Sequence, residues 1–301
     1  MRDKVIVIGS LNYDIIAKIP QMPKLGENML ASQVSFGAGG KGANQAVQAA
    51  KLGVKTYMAG CVGNDSMGDF LVNTMKKYGV NVEHIRRTDG YTGMGLVNSL
   101  EGGGVFASIA KGANFEVTKE DIDRMEPLMD EAGIVIFQME IPQDMNRYAI
   151  DKARAHGCRV LMNAAPAAPF EEEYIRKCHI FVVNEVEAGF YAGKTIDTMD
   201  KAAAEAENMA SRMGNTVIIT MGSEGAVVSD GKTTKKVPSL KVKAVETTGA
   251  GDSFIGGVSY ALLEGMDIFE ACTFATRCSA VTVCRPGAQE SMPTLADLSR
   301  E

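Results

Sequence analysis

A chain of 301 residues, 46% hydrophobic and 23% charged, is long enough for one large globular domain or one domain with a small appendage. Its net charge of −6, from 31 Lys+Arg against 37 Asp+Glu without a long basic run, argues against nucleic acid as a partner. No apolar stretch approaches the roughly 20 residues that cross a bilayer, which argues against a membrane role.

Residues 5–8 are a β-branched apolar run closed by Gly9-Ser10, which predicts a buried parallel strand and is too short for a signal peptide. Residues 11–36, with Pro20 and Pro23, predict short, partly exposed strands and turns. The cluster Phe36-Gly37-Ala38-Gly39-Gly40-Lys41-Gly42-Ala43-Asn44 then leads into a helix over 45–52. Gly37, Gly39 and Gly42 match the dinucleotide fingerprint GxGxxG, but that fingerprint follows the first strand directly and is trailed by an acid on the next strand tip. Neither condition holds here. Lys41 is followed by glycine rather than Ser or Thr, so the P-loop pattern fails as well.

Strand and helix then alternate. Strands are predicted over 56–62, 133–137, 159–162, 180–183 and 216–220, and helices over 69–78, 145–156, 200–213 and 268–283. Edge strands with Lys-rich turns are expected within 226–245. This alternation implies an α/β fold with a mostly parallel sheet covered on both faces, in a single domain over 1–301. The segments 11–36 and 92–110, the second folded around Gly102-Gly103-Gly104, do not fit the alternation and are expected to form a small lid sheet. The six cysteines (Cys61, Cys158, Cys178, Cys272, Cys278, Cys284) include no CxxC pair, which suggests buried free thiols in a reducing cytoplasm. Three histidines (His84, His156, His179) off metal-ligand spacing argue against a caged transition metal.

Thr247-Thr248-Gly249-Ala250-Gly251-Asp252-Ser253-Phe254 is a loop of small residues feeding a helical apolar run from 255 to 263. Successive amides at such a helix start lack carbonyl partners and attract anions, and glycine lets the backbone approach them. Asp252 in that positive field is either a helix N-cap or a general base on a hydroxyl attacking a phosphoryl group. Ligands of open α/β sheets bind beyond the carboxyl ends of the strands. The conspicuous polar residues fall there: Asn12 and Asp14, Glu140, Asn163, Asn184 and Glu187, 220–225, and the 247–254 loop. That alignment favours the catalytic reading.

Six ordered motifs resemble those of the ribokinase-like, PfkB-type sugar kinase family over nearly the whole chain: GSLNYD at 9–14, GGKGAN at 39–44, NEVE at 184–187, TMGSEG at 220–225, TTGAGDSF at 247–254 and RPGAQ at 285–289. The resemblance implies a doubly wound α/β domain with a small β-sheet lid. It also implies transfer of the ATP γ-phosphoryl group to a sugar hydroxymethyl, D-ribose ahead of other sugars. By the same resemblance Asp252 is the base, and the amides of Gly249, Ala250 and Gly251 form an anion hole. Asn12, Asp14, Gly40, Lys41, Gly42, Ala43, Asn44 and Glu140 contact the sugar. Asn184, Thr220, Met221, Gly222, Ser223, Glu224, Gly225 and Thr276 contact the nucleotide, with Gly251 and Asp252. Glu187 lies near Mg²⁺, partly through water. A K⁺-type ion is held by Glu246 and by oxygens of Thr248, Thr282, Arg285, Gly287 and Ser291.

Bland alternatives stand beside these roles: a turn aspartate for Asp14, a helix N-cap for Asn44, a solvated helix face for Glu187, an exposed lysine at a glycine turn for Lys41. Three positions depart from the family pattern. Glu246 stands where Asp is usual, Thr276 where Asn or His is common, and Tyr13 places a ring between the two sugar-binding residues. The apolar residues Ile15, Ile19, Leu96 and Val105 on the lid suggest that it pairs with a second subunit in a homodimer. A nucleoside kinase is the rival within the fold, with Tyr13 as part of an aromatic surface for the base. A phosphofructokinase-type activity lacks a Lys/Arg cluster for a second phosphate, and the intact GAGD loop argues against a silent sugar-binding protein.

Overall fold

The computed structural model describes residues 2–100 and 104–299. Its strands are β1 (Lys4–Ile8), β2 (Asn12–Ile19), β3 (Gln33–Gly39), β4 (Lys55–Gly63), β5 (Asn81–Thr88), β6 (Gly93–Leu100) and β7 (Val105–Ala110). They continue with β8 (Ala132–Phe137), β9 (Arg159–Asn163), β10 (Ile180–Asn184), β11 (Thr216–Thr220), β12 (Gly225–Ser229) and β13 (Thr234–Pro238). The helices are α1 (Lys41–Lys51), α2 (Ser66–Lys77), α3 (Lys119–Asp123), α4 (Glu126–Met129), α5 (Gln143–Ala155) and α6 (Glu172–Lys177). After them come α7 (Glu185–Ala192), α8 (Met199–Met213), α9 (Ala250–Leu263), α10 (Ile268–Val283) and α11 (Leu295–Leu298).

A nine-stranded sheet runs in the order β13-β12-β11-β10-β9-β8-β1-β4-β5. It is parallel from β11 to β5 and antiparallel where β12 joins β11 and β13 joins β12. The period of two in β1 explains how both faces are covered. Ile6 and Ile8 enter one core with Val135, Phe137, and residues of α5 and α8. Val5 and Val7 enter the opposite core with Ile134, Ile136, and residues of α1, α9 and α10. A strand buried on both faces reads as an unbroken apolar run, and the fold is a doubly wound α/β sheet. Two glycines in the middle of α9 let its neighbours approach: a Cβ on Gly256 would lie 2.6 Å from Gln48 Cβ on α1, and one on Gly257 3.0 Å from Ala275 Cα on α10.

The second sheet has the order β3-β2-β6-β7, with β2 and β6 parallel and the two outer pairs antiparallel. Pairing puts Asp14, Gly37 and Gly95 on one face and Tyr13, Ala38 and Met94 on the other. The Asp14 face, with Ile16, Lys18, Ser35 and Val97, borders a cavity of about 490 Å³ whose far wall is the 244–248 segment. On the opposite face Val34, Phe36, Leu96 and Phe106 are exposed.

Several expectations need correction. β5 was not expected, because its half-exposed sequence NVEHIRRT carries charges on an edge strand. Residues 239–245 form no strand, and the short helices α3, α4, α6 and α7 had no predicted counterpart. α1 begins at Lys41, so the last four residues of GGKGAN are its first turn rather than a loop before it. Five cysteines are buried, but Cys284 is exposed at the end of α10. Gly102 and Gly103 lie outside the described residues. No helix among the described residues is long and apolar enough to cross a membrane.

Candidate active site

The chain leaves β1 toward β4 and leaves β8 toward β9, on opposite sides, so the crevice beyond the ends of β1 and β8 is a switch point. Ser10, just after β1, donates from Oγ to Glu140 Oε2 at 2.5 Å, and the Lys41 amide reaches the same oxygen at 3.3 Å. The Ala43 amide donates to Ser10 O at 2.9 Å. Glu140 thus satisfies an N-terminal amide of α1 with one oxygen, and its Oε1 has no hydrogen bond among the described residues. The glycines of this turn serve close packing. A Cβ on Gly40 would lie 2.6 Å from Asn12 N, and one on Gly42 2.7 Å from Ser10 N. Ala43 is fully buried in the core with its amide engaged by Ser10 O. Gly40 is the N-cap of α1, so Asn44 is not a cap.

Asp252 is the third residue of α9, whose N-cap is Gly249 at φ 79° with no side-chain cap bond. It does not cap the helix. Only 8% exposed, its carboxylate accepts from Asn44 Nδ2 at Oδ2 and from Gln45 Nε2 at Oδ1, both at 2.9 Å. Burial pushes its pKa up, opposed by the charge of Lys41 and by these two amides. The three amides expected to form an anion hole are not alike. Ala250 N–H donates to Thr247 O at 3.3 Å, whereas the amides of Gly249, Gly251 and Asp252 find no acceptor among the described residues.

These amides open on a cleft of about 250 Å³ lined by Lys41, Asn163, Glu187, Thr220, Gly251 and Asp252 among others. Lys41 is half-buried rather than free in solvent. Burial disfavours its charge, yet the carboxylates of Asp252, Glu140, Glu187 and Asp14 together hold its pKa above the usual lysine value. One cation among four carboxylates leaves the crevice short of positive charge, which an incoming cation would correct.

Asn184 and Glu187 form a reciprocal capping box on α7, each side chain accepting from the other's amide at 2.8 Å. Glu187 is buried and borders the cleft, so it is not a solvated helix face, and burial raises its pKa. Its second oxygen and Asn184 Nδ2 remain available. Thr220 borders the same cleft, and Met221 to Glu224 turn back into β12 through a single 3₁₀ turn. The two glycines there have different reasons. A Cβ on Gly222 would meet open space, whereas one on Gly225 would lie 2.1 Å from Val237 O, so Gly225 serves the β12–β13 hairpin. Ser223 and Glu224 are exposed at the turn. Thr276 lies buried on α10 with its hydroxyl donating to Thr273 O, and it does not line the cleft.

The small sheet brings Asn12 and Asp14. Asn12 Oδ1 accepts from Asn114 Nδ2 at 2.7 Å, and Asn114 also accepts from Leu11 N–H at 2.8 Å. Asp14 occupies the room left by Gly39 and Gly95, where added Cβ atoms would lie 2.0 and 2.3 Å from its oxygens. Burial, then the charges of Glu140 and Asp252, push its pKa up to about 7 against the pull of Lys41. A turn aspartate would show none of this. Tyr13 is a correction: its ring packs on Phe36 and Phe70 at centroid distances of 6.0 and 5.5 Å, on the face away from the crevice.

At the expected cation loop, Glu246 Oε2 accepts from Gly287 N–H at 2.9 Å, so the longer acid joins the two segments directly. The Thr282 hydroxyl is engaged with Ser253 Oγ and Cys278 O, and its carbonyl accepts from Arg285 N–H at 3.2 Å. Ser291 Oγ donates to Ala288 O at 2.7 Å, and the Arg285 side chain pairs with Asp297. Thr248 lies on the wall of the larger cavity.

Ser10, Gln45, Asn114, Gln138 and Gln289 escaped the sequence reading. Each acts on a partner far along the chain, so no spacing betrays it. Only Ser10, two residues after β1, and Gln138, directly after β8, lie where the strand-end rule points.

The pfkB family carbohydrate kinase model matches residues 2–295. Ribokinase from Schizosaccharomyces pombe is 36% identical over 307 residues, covering 98% of this chain and 96% of that protein. Deoxyribokinase from Salmonella typhi is 35% identical over 296 residues, covering 97% and 96%. The structure of Arabidopsis thaliana ribokinase complexed with ribose and ATP matches with a TM-score of 0.89 and 28% identity, over 100% of this chain and 98% of that one. The chain therefore belongs to the pfkB family of carbohydrate kinases.

Proposed function

We propose that this protein is an ATP-dependent kinase of a free pentose, converting D-ribose to ribose 5-phosphate. The observation that carries the reading is Asp252, a buried carboxylate at a helix start, beside three open amides and Lys41. Asp252 takes the proton of the sugar hydroxymethyl as its oxygen attacks the γ-phosphorus, and the amides of Gly249, Gly251 and Asp252 hold the charge that develops. Asn12, Asp14, Asn44 and Glu140 hold the sugar hydroxyls, for which carboxylates and amides are suited. The 220–225 turn and Asn184 take the nucleotide.

Glu187 suits Mg²⁺, since a hard cation keeps its waters and needs few carboxylate oxygens; the ion supplies charge neutralisation at the phosphates. Glu246, Ser291 and the carbonyls of Thr248, Thr282, Arg285 and Gly287 are an all-oxygen set suited to K⁺, which would steady the 247–252 loop. The small sheet acts as a lid that excludes water from the transfer. Its exposed apolar face pairs with the same face of a second copy, because a four-stranded sheet with one bare apolar face is marginal alone. We place the protein in the cytoplasm, consistent with its unpaired thiols.

With Tyr13 turned away from the crevice, the aromatic support for a nucleoside acceptor is gone. 2-Deoxyribose is the second reading, favoured by the deoxyribokinase relative. ADP release measured with ribose, deoxyribose, fructose and adenosine tests the proposal. Ribose should give the highest kcat/KM, and release with adenosine alone would overturn it.

A further inference from the structure

Both oxygens of the Asp252 carboxylate are held by side-chain amides, and each of those amides is held by another. Gln45 Nε2 donates to Asp252 Oδ1 at 2.9 Å and to Asn163 Oδ1 at 3.0 Å, while Gln45 Oε1 accepts from Gln138 Nε2 at 2.7 Å. On the other side Asn44 Nδ2 donates to Asp252 Oδ2, and Asn44 Oδ1 accepts from Gln289 Nε2 at 3.1 Å. All three glutamines are fully buried. The direction of this series follows from its centre. An ionised carboxylate only accepts, so Gln45 and Asn44 must each turn NH₂ toward it, and their own carbonyls then need donors. Gln138 and Gln289 supply them. The series ends in two buried oxygens, Gln138 Oε1 and Gln289 Oε1, that have no partner among the described residues.

Such orphaned atoms are rare in folded proteins and call for an explanation. The surroundings maintain the arrangement. Gly9 leaves the space, since a Cβ there would lie 1.8 Å from Gln138 Oε1, and Asn146 Nδ2 donates to Gln138 O at 2.7 Å. Neither Gln138 nor Gln289 lines the cleft.

We propose that Gln138 and Gln289 are positioning residues for phosphoryl transfer, each locking the orientation of an inner amide so that the Asp252 carboxylate is held fixed toward the acceptor hydroxyl. The inference rests on the kinase reading. Without Gln138, the Gln45 amide can turn its oxygen toward Asp252, and the carboxylate must rotate away from its productive geometry. Misplacement of a reacting group on the ångström scale costs about 10²-fold in rate.

The test is a cycle of Gln45→Met, Gln138→Met and the double variant, with thermal midpoints recorded to confirm folding. Gln138→Met should lower kcat by about 10–100-fold while KM for ribose and for ATP moves less than about threefold. In the Gln45→Met background, Gln138→Met should cause no further loss, because it acts through Gln45. Unchanged kcat in Gln138→Met, or losses that multiply in the double variant, would overturn the proposal. If Gln45→Met fails to fold, the kcat-against-KM split of Gln138→Met and of Gln289→Met decides. Exchange of the Gln45 side-chain amide protons, followed by NMR, is independent of turnover. It should be at least about tenfold faster in Gln138→Met than in the wild type. If the wild type phosphorylates neither ribose nor deoxyribose, the kinase reading falls, while unchanged amide exchange would sink the relay by itself.

Discussion

The two sheets of this molecule solve the burial problem differently. In the nine-stranded sheet, β1 is covered on both faces, with Val5, Ile6, Val7 and Ile8 at most 1% exposed. In the four-stranded sheet one face borders the crevice, and the other leaves Val34 50%, Phe36 61% and Phe106 47% exposed. The large sheet is complete within one chain and holds the groups proposed for chemistry on helix starts and strand ends. The small sheet contributes Asn12 and Asp14 and retains apolar surface that this chain does not cover. The division suggests that the large sheet sets the rate, while the small one shares the grip on the sugar with Asn44 and Glu140.

Asp252→Asn attacks the large-sheet side and should have the largest effect, lowering kcat by about 10²–10⁴-fold with sugar binding by calorimetry largely kept. Near wild-type turnover would reduce Asp252 to a structural role. Asp14→Ala attacks the small-sheet side. Loss of hydrogen bonds to a charged group costs about 1.5–3 kcal/mol, roughly a 10- to 150-fold rise in sugar KM, with ATP KM unchanged. An equal rise in both constants would break the proposed division. Phe36→Lys with Phe106→Lys should convert a dimer to a monomer in sedimentation and leave kcat for bound sugar within a fewfold. A wild type that sediments as a monomer would leave the apolar face unexplained.

The smallest expected effect is on stability. A carboxyl whose pKa rises on folding, from 3.8 to about 7 for Asp14, takes up a proton as the chain folds. Its contribution to stability therefore falls as pH increases through that window. Asp14→Asn removes this term, so its thermal midpoint should rise relative to wild type, more at pH 8 than at pH 4. Equal shifts at both pH values would show that Asp14 is not buried among like charges.

The sequence made the large sheet readable because strands buried on both faces are continuous apolar runs, as in 5–8 and 133–137. It hid β5, whose charges suit an exposed edge, and α7, which is only eight residues long. Glycine-rich turns located the crevice, but the reasons for those glycines needed coordinates. Gly225 relieves a hairpin contact rather than admitting a ligand, and Gly42 admits Ser10. Tyr13 turns away from the crevice because side chains alternate strictly along β2, although the sequence from 11 to 36 shows only loose alternation. Once Asp14 faces the crevice, its neighbour must face the other way. Gln45, Gln138 and Gln289 could not be seen at all, since their roles exist only through one another.

The most direct test of the central claim is the ³¹P spectrum of the product formed from ATP and ribose by the wild-type protein. Transfer to a hydroxymethyl group predicts a phosphomonoester signal split into a triplet by two methylene protons, growing as ADP appears. A doublet, from phosphorylation of a secondary hydroxyl, or inorganic phosphate as the only new signal besides ADP would contradict the account.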